Sequence, residues 1–183
     1  MRVLLFNGSL DRREGATSEK ISKYFEEIFL AEGLSVDVFR VTDSGVPLFD
    51  ATLNKVPNAV DRMNIMFRET TLQVWLTPLY HGGMTGVMKN CLDWLECSAK
   101  MPSPYLTGKL IGLVCWADGV QAMQGINGMD DVAKALRGWT LPYSLPMQRK
   151  QLLTVEGELT LEYKERIDKM VRLLLCSPFY KKS

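Results

Sequence analysis

LQVWLTPLYHGGMTGVMKNCLDWL, residues 72–95, is the stretch on which the reading of the fold turns. Leu72 to Leu76 is a short apolar run, the length of a strand buried on both faces of a sheet. From Gly86 to Glu96 the apolar residues return at helical spacing. Between the two lie Pro78, Tyr80, the only histidine of the chain at His81, and the pair Gly82-Gly83. A plain connection needs no such set. Pro78 fixes the backbone just past the strand, the glycines let main chain approach a flat ligand, and Tyr80 and His81 offer planar edges for stacking and hydrogen bonding. Taken singly, His81 is more simply a solvated loop histidine, and Met84, Val87, Met88, Leu92, Trp94 and Leu95 are core or a subunit face.

The pattern repeats on either side. Arg2 to Phe6 (RVLLF) is a buried strand ended by Asn7-Gly8, and the helical period of Ile21, Tyr24, Phe25, Ile28 and Phe29 predicts a helix over 16–31, stopped by Gly33. Ser35 to Val41 alternates apolar and polar, as an edge or half-covered strand does. A helix follows over 59–67, then the opening stretch, then a fully apolar strand at Leu110 to Trp116. Asp130 to Arg137 reads as helix. Leu141 to Leu145 is at best an irregular strand because Pro142 and Pro146 remove ladder donors, and Leu159 to Leu175 is a closing helix. Strands alternating with helices predict an α/β fold, a parallel sheet covered by helices on both faces. Ligands in such sheets bind at the carboxyl ends of the strands, which makes the loops after the first, third and fourth strands neighbours.

Composition narrows the function classes. At 183 residues and 46% hydrophobic, the chain reads as one domain, residues 1–183, able to bury its core without metals or disulfides. Lys plus Arg number 22 against 21 for Asp plus Glu, so no basic field exists to hold nucleic acid or an anionic membrane. Cys91, Cys97, Cys115 and Cys176 show no CxxC spacing, and a single His leaves no metal-ligand set, so buried free thiols in a reducing cytoplasm are expected. The N-terminal apolar run is too short for a signal peptide, and nowhere do about 18 apolar residues follow one another.

Two further loops carry chemistry. GSLDRREGATSEK, residues 8–20, sets Gly8, Ser9, two arginines, Gly15, Thr17 and Ser18 between a strand and a helix start, where backbone N–H groups and small hydroxyls suit one phosphate. It is neither the GxGxxG of a dinucleotide site nor a P-loop. Thr17 or Ser18 as a simple helix cap is the competing reading. ADGVQAMQGINGM, residues 117–129, is read as a glycine-rich loop closing over the other edge of the same ligand, with Asp118 as its polar group and Gly119 allowing close approach; a mere connection is equally compatible.

Gly8-Ser9-Leu10 followed by arginine and a hydroxyl-bearing helix start, then Thr77, Pro78, Tyr80, Gly82, Gly86, Lys89, Asn90, Asp93, Trp94 and Leu95 in the pattern TPxYxGxxxGxxKNxxDWL, resembles the NADPH-dependent FMN reductase family. The resemblance implies a flavodoxin-like three-layer αβα sandwich with a five-stranded parallel sheet in the order 2-1-3-4-5. It implies hydride transfer from C4 of NADPH or NADH to N5 of FMN, the protein supplying orientation rather than a catalytic acid, base or nucleophile. Ser9, Arg12 or Arg13, Thr17 and Ser18 would hold the phosphate; Pro78, Leu79, Tyr80, His81, Gly82 and Gly83 would line the ring and ribityl chain, and Asp118 and Gly119 the far edge. Three positions depart from the family pattern: Asp11 precedes the arginines, Glu19 stands where an Asn is usual, and Leu79 where an acid is common. Either both acids point away from the phosphate or binding is weak. Other acceptors, such as quinones, azo compounds or metal ions, would use the same loops. A non-catalytic electron carrier is disfavoured by the near-zero charge, and a ligand-free interaction module remains a third reading. Arg12, Arg13 and Lys89 are candidates for the extra phosphate of a nicotinamide dinucleotide. Family members generally pair, so a homodimer or homotetramer in the cytoplasm is expected.

Overall fold

The structure, a computed structural model, describes residues 1–179. Its sheet is parallel throughout and has the expected order: β2 (Ser35–Arg40), β1 (Arg2–Asn7), β3 (Leu72–Pro78) and β4 (Leu110–Ala117), with a broken edge strand beyond β4. That edge is β5 (Trp139–Thr140) against Leu110 and Ile111, then β6 (Leu145–Gln148) against Val114 to Ala117. Residues 141–144 of the irregular strand expected at 141–145 are thus the interruption between two short ones, and Leu145 opens the second. Pro146 is tolerated in β6 because, among the described residues, that strand pairs with β4 alone.

The period-2 alternation of the strands sorts side chains between two cores. From β1, Leu4 and Phe6 join Phe67 and Trp75 on the face covered by α2 (Asn58–Glu69), α3 (Gly86–Asp93) and α4 (Ala122–Ala135). Val3 and Leu5 face the opposite way, onto α1 (Thr17–Ala31) and α6 (Leu161–Leu175), meeting Phe25, Phe29, Met170 and Leu174. Phe6 lies edge-on to Phe67 and to Trp75, with centroids 5.0 and 5.9 Å apart. Each such fully buried side chain contributes roughly 1.5–3 kcal/mol. The one amide inside β3, Gln73, is satisfied: it donates to the Phe67 carbonyl at 2.9 Å and accepts from Trp75 Nε1 at 3.0 Å. Gly33, at φ +78°, stops α1 as expected, in a closing turn where Gly33 N–H donates to the Leu30 carbonyl and Leu34 N–H to that of Phe29.

Several expectations need correction. The 117–129 segment is a loop only to Gln121, because α4 begins at Ala122 and runs through Gly125 and Gly128. Gly125 is there for packing: a Cβ at that position would stand 2.5 Å from Cys115 Sγ on β4. The helix over 86–96 turns into a 3₁₀ turn at Trp94–Ser98. Met88, Leu92, Trp94 and Leu95 go into the chain's own core. Of the thiols, Cys91 and Cys115 are buried, and desolvation pushes the pKa of each up to about 12, whereas Cys97 is half-buried and Cys176 exposed.

Candidate functional site

The carboxyl end of β1 builds its loop from short side chains that hydrogen-bond to backbone. Asn7, 2% exposed, accepts the Ser9 N–H at 3.0 Å and donates to Glu19 Oε1 at 3.1 Å, tying the loop to α1. Ser9 Oγ then accepts the Asp11 N–H at 3.2 Å, and Asp11 Oδ1 accepts the Arg13 N–H at 3.1 Å. Thr85 joins this loop to the next one. It caps α3 by accepting the Met88 N–H at 3.1 Å while donating to the Gly8 carbonyl at 2.7 Å. Gly8 has no room for a side chain, since a Cβ would stand 2.4 Å from Met88 Sδ.

A cleft of about 280 Å³ opens above this junction. Of the residues expected at a ligand, it brings together Ser9, Arg13, Thr17, Ser18, Pro78 and Tyr80, and it adds Leu10, Asp11, Trp116 and Arg149. Neither Thr17 nor Ser18 caps α1. The cap position is Ala16, without a side-chain hydrogen bond, so the helix start has no side-chain cap. Ser18 is 1% exposed, and its Oγ has no hydrogen-bond partner among the described residues. An unpaired hydroxyl buried beside an uncapped helix start is an arrangement that an anionic oxygen would complete.

The two acids that depart from the family pattern are both accounted for. Glu19 turns away from the cleft and is held by the fork of Arg40, at 3.0 Å to Nε and 2.8 Å to Nη2. Asp11 stays in the cleft but takes both arms of Arg13, at 2.8 and 2.6 Å, and these bonds hold the pKa of its carboxyl down at about 2. Arg12 does not reach the cleft; its guanidinium donates to the Thr42 carbonyl. Lys89 is paired with Asp93 at 2.5 Å, one helical turn along α3.

The second loop folds into a two-residue hairpin. Tyr80 and Gly83 exchange both N–H···O bonds at 3.0 Å, with His81 at φ +48° and Gly82 at φ +85° in the central positions. Positive φ at both is what a type I′ turn requires, which explains the glycine after the histidine. The hairpin presents Tyr80, about half exposed, with His81 and Gly82. Leu79 points elsewhere: its N–H donates to the Trp116 carbonyl at 2.8 Å, and a Cβ on Gly125 of α4 would lie 3.2 Å from its Cδ1. Asp118 is exposed just past β4, with its Oδ1 3.6 Å from Nη1 of Arg149, and Gly119 follows it.

Arg149 is the cation of the cleft that sequence reasoning missed. It opens the short helix α5 (Arg149–Leu152) at the end of β6, so it stands at the same sheet edge as the other loops. Ending the last strand at Leu145 hid it; extending that strand through Gln148 would have put Arg149-Lys150 at its carboxyl end. A larger cavity of about 670 Å³ lies between α4 and the 138–144 segment and shares no residue with the cleft. Loop chemistry and the strand ends, rather than volume, make the smaller cleft the candidate site.

A family model described as NADPH-dependent FMN reductase matches residues 1–151. A curated relative, the NADPH-dependent FMN reductase ArsH of Acidithiobacillus ferrooxidans, is 31% identical over 141 residues, covering 77% of this chain and 57% of that protein. The chain thus spans little more than half the length of that relative. Among solved structures, the flavoenzyme NAD(P)H:(acceptor) oxidoreductase FerB of Paracoccus denitrificans superposes with a TM-score of 0.73 at 20% identity, over 94% of this chain and 96% of that one. A mutant flavodoxin from Pseudomonas aeruginosa gives 0.64 at 13% identity, over 95% and 99%; the fold is therefore flavodoxin-like.

Proposed function

The chain belongs to the NADPH-dependent FMN reductase family, and from that premise we propose that it binds FMN in the β1–β3 cleft and reduces it with NADPH or NADH. The observation that carries this reading is a cleft at the carboxyl ends of the strands, lined by Ser9, Thr17 and Ser18 at a helix start with no side-chain cap. Ser9, Thr17, Ser18 and the α1 N-terminus suit a phosphate, with Arg13 and Arg149 as the cations of the cleft. Pro78 and Tyr80 continue the cleft toward the hairpin, where a flat ring would lie.

When bound, the flavin supplies the redox chemistry. The chain's part is to bind and orient. Of the backbone donors in the second loop, those of Leu79, Tyr80, Gly83 and Thr85 are already committed, which leaves the His81, Gly82 and Met84 N–H groups free among the described residues, those of His81 and Gly82 at the hairpin tip to meet a ring edge. Rigid placement of those donors matters because positioning and fixed dipoles are what the protein adds to a hydride transfer. Asp118 and Gly119 stand at the far side, beyond β4.

The reading also takes the chain as one domain acting in the cytoplasm as a homodimer or homotetramer. Among the described residues no helix is long and apolar enough to cross a membrane. The test is an anaerobic absorbance titration with FMN followed by NADPH and then NADH. Bleaching of the oxidised flavin band faster than without protein, and slowed when Tyr80 and His81 are replaced by Ala, is expected. Absence of both binding and bleaching would refute the proposal.

A further inference from the structure

We infer that Arg149, and not Arg13, is the principal cationic ligand of the flavin phosphate in this chain; the inference rests on the FMN reading above. The reason lies in where each positive charge is already engaged. Arg13 gives Nε and Nη2 to the two oxygens of Asp11 at 2.8 and 2.6 Å, so the pair presents almost no net charge to the cleft. Its side chain is also 77% exposed. Arg12 is engaged by the Thr42 carbonyl, Arg40 by Glu19, and Lys20 by the Gly157 carbonyl.

Arg149 differs from all four. It lines the same cleft as Ser18, yet its one ion-pair partner among the described residues, Asp118, stands 3.6 Å away, beyond hydrogen-bond distance, and both side chains are open to solvent at 49% and 81%. An exposed pair of that kind contributes little, so exchanging Asp118 for a phosphate dianion carries a small cost and gains a charge-assisted bond. The base of Arg149 is fixed: the preceding Gln148 N–H donates to Tyr163 Oη at 2.9 Å, and Tyr163 is buried on α6. Asp11, the departure from the family pattern, thus removes one arginine from the phosphate site, and the last strand returns another.

A phosphate monoester is also what distinguishes NADPH from NADH, and the measurement separates the two sources. Equilibrium titrations by flavin fluorescence quenching compare FMN with riboflavin, which lacks the phosphate, for the native chain and for Arg149→Gln, Arg149→Lys, Asp11→Asn and the double variants Asp11→Asn/Arg13→Gln and Asp11→Asn/Arg149→Gln. The native chain should prefer FMN. Arg149→Gln should weaken FMN binding about tenfold or more and leave riboflavin binding unchanged, Arg149→Lys should retain most of the affinity, and Arg13→Gln, made together with Asp11→Asn so that no unpaired carboxylate is left in the cleft, should cost less than Arg149→Gln. Asp11→Asn keeps the backbone acceptor and frees Arg13, so it should recover part of the loss in the Asp11→Asn/Arg149→Gln variant. A native preference for FMN that survives Arg149→Gln overturns the inference alone. So does an equal loss for both flavins, which marks a structural role, or an effect confined to KM for NADPH with NADH unaltered. A native chain that does not prefer FMN over riboflavin overturns the phosphate placement first and this inference with it.

Discussion

Ser18 separates function from stability more cleanly than any other residue in the cleft. Its hydroxyl is buried and unpaired, so in the ligand-free chain it is a net cost rather than a support. Ser18→Ala should therefore leave the melting temperature of the free protein unchanged or slightly higher, while weakening FMN binding by a factor of about ten, the worth of one hydrogen bond to a charged group. Calorimetry and flavin titration on the same preparation check both halves; a clear fall in melting temperature would show that the hydroxyl is structural. Thr85, 1% exposed, is the contrasting case. It is also a buried hydroxyl at a helix start, yet it both accepts from Met88 and donates to Gly8, so it belongs to the scaffold. Residue type and position at a helix start do not distinguish the two. What tells them apart is whether a partner already exists, and only coordinates show that.

The first part of α4, residues 122–129, was read as loop although 130–137 was read as helix, and the error has a specific cause. Residues Ala122, Gly125, Ile126, Met129 and Ala133 are buried at helical spacing, but Gly125 and Gly128 so close together read as loop when glycine is scored by its conformational freedom alone. The two glycines are not equivalent. A Cβ at Gly125 would meet Cys115 Sγ at 2.5 Å, whereas at Gly128 nothing lies within 4 Å. Gly125→Ala should destabilise by about 1–3 kcal/mol through overpacking, despite better helix propensity. Gly128→Ala should stabilise by about 0.5–1 kcal/mol, because only the propensity term applies. Urea unfolding of the two variants is the check, and equal effects would contradict the packing explanation. By contrast, β1, α1, β3 and α6 were legible because buried strands and one-sided helices leave unbroken apolar patterns. The KNxxDW part of the opening stretch was legible as a motif, but its role was not. Asn90 accepts the Phe49 N–H at 2.7 Å and donates to the Pro47 carbonyl at 2.8 Å, and Trp94 Nε1 donates to that same carbonyl, so these residues clasp the segment after β2 against α3.

At the scale of the molecule, the rule that ligands gather at the carboxyl edge of a parallel sheet was enough to unite the first two loops from sequence alone. It missed Arg149 because the broken edge strand hid which end of the chain returns to that edge. The same scale bears on assembly. Of the residues read as core or a subunit face, Met88, Leu92, Trp94 and Leu95 lie in the chain's own core, which moves the argument for pairing to the segment that α3 clasps. There Leu48 is 84% exposed and Leu53 49%, with Phe49 edge-on to Trp94 at 5.1 Å. Phe49 also borders a groove of about 530 Å³ formed with Leu92 of α3 and Val132 and Leu136 at α4. Hydrogen bonds pin this segment while its leucines stay exposed, and the proposed pairing would bury them. Light scattering coupled to size exclusion should therefore give at least twice the 20.7 kDa chain mass at micromolar concentration. Leu48→Asp combined with Leu53→Asp should shift the protein to monomer with its far-UV dichroism unchanged, because neither side chain is buried in the single chain. A native monomer would remove the case for assembly, and a double variant that stays paired would place the interface on another face.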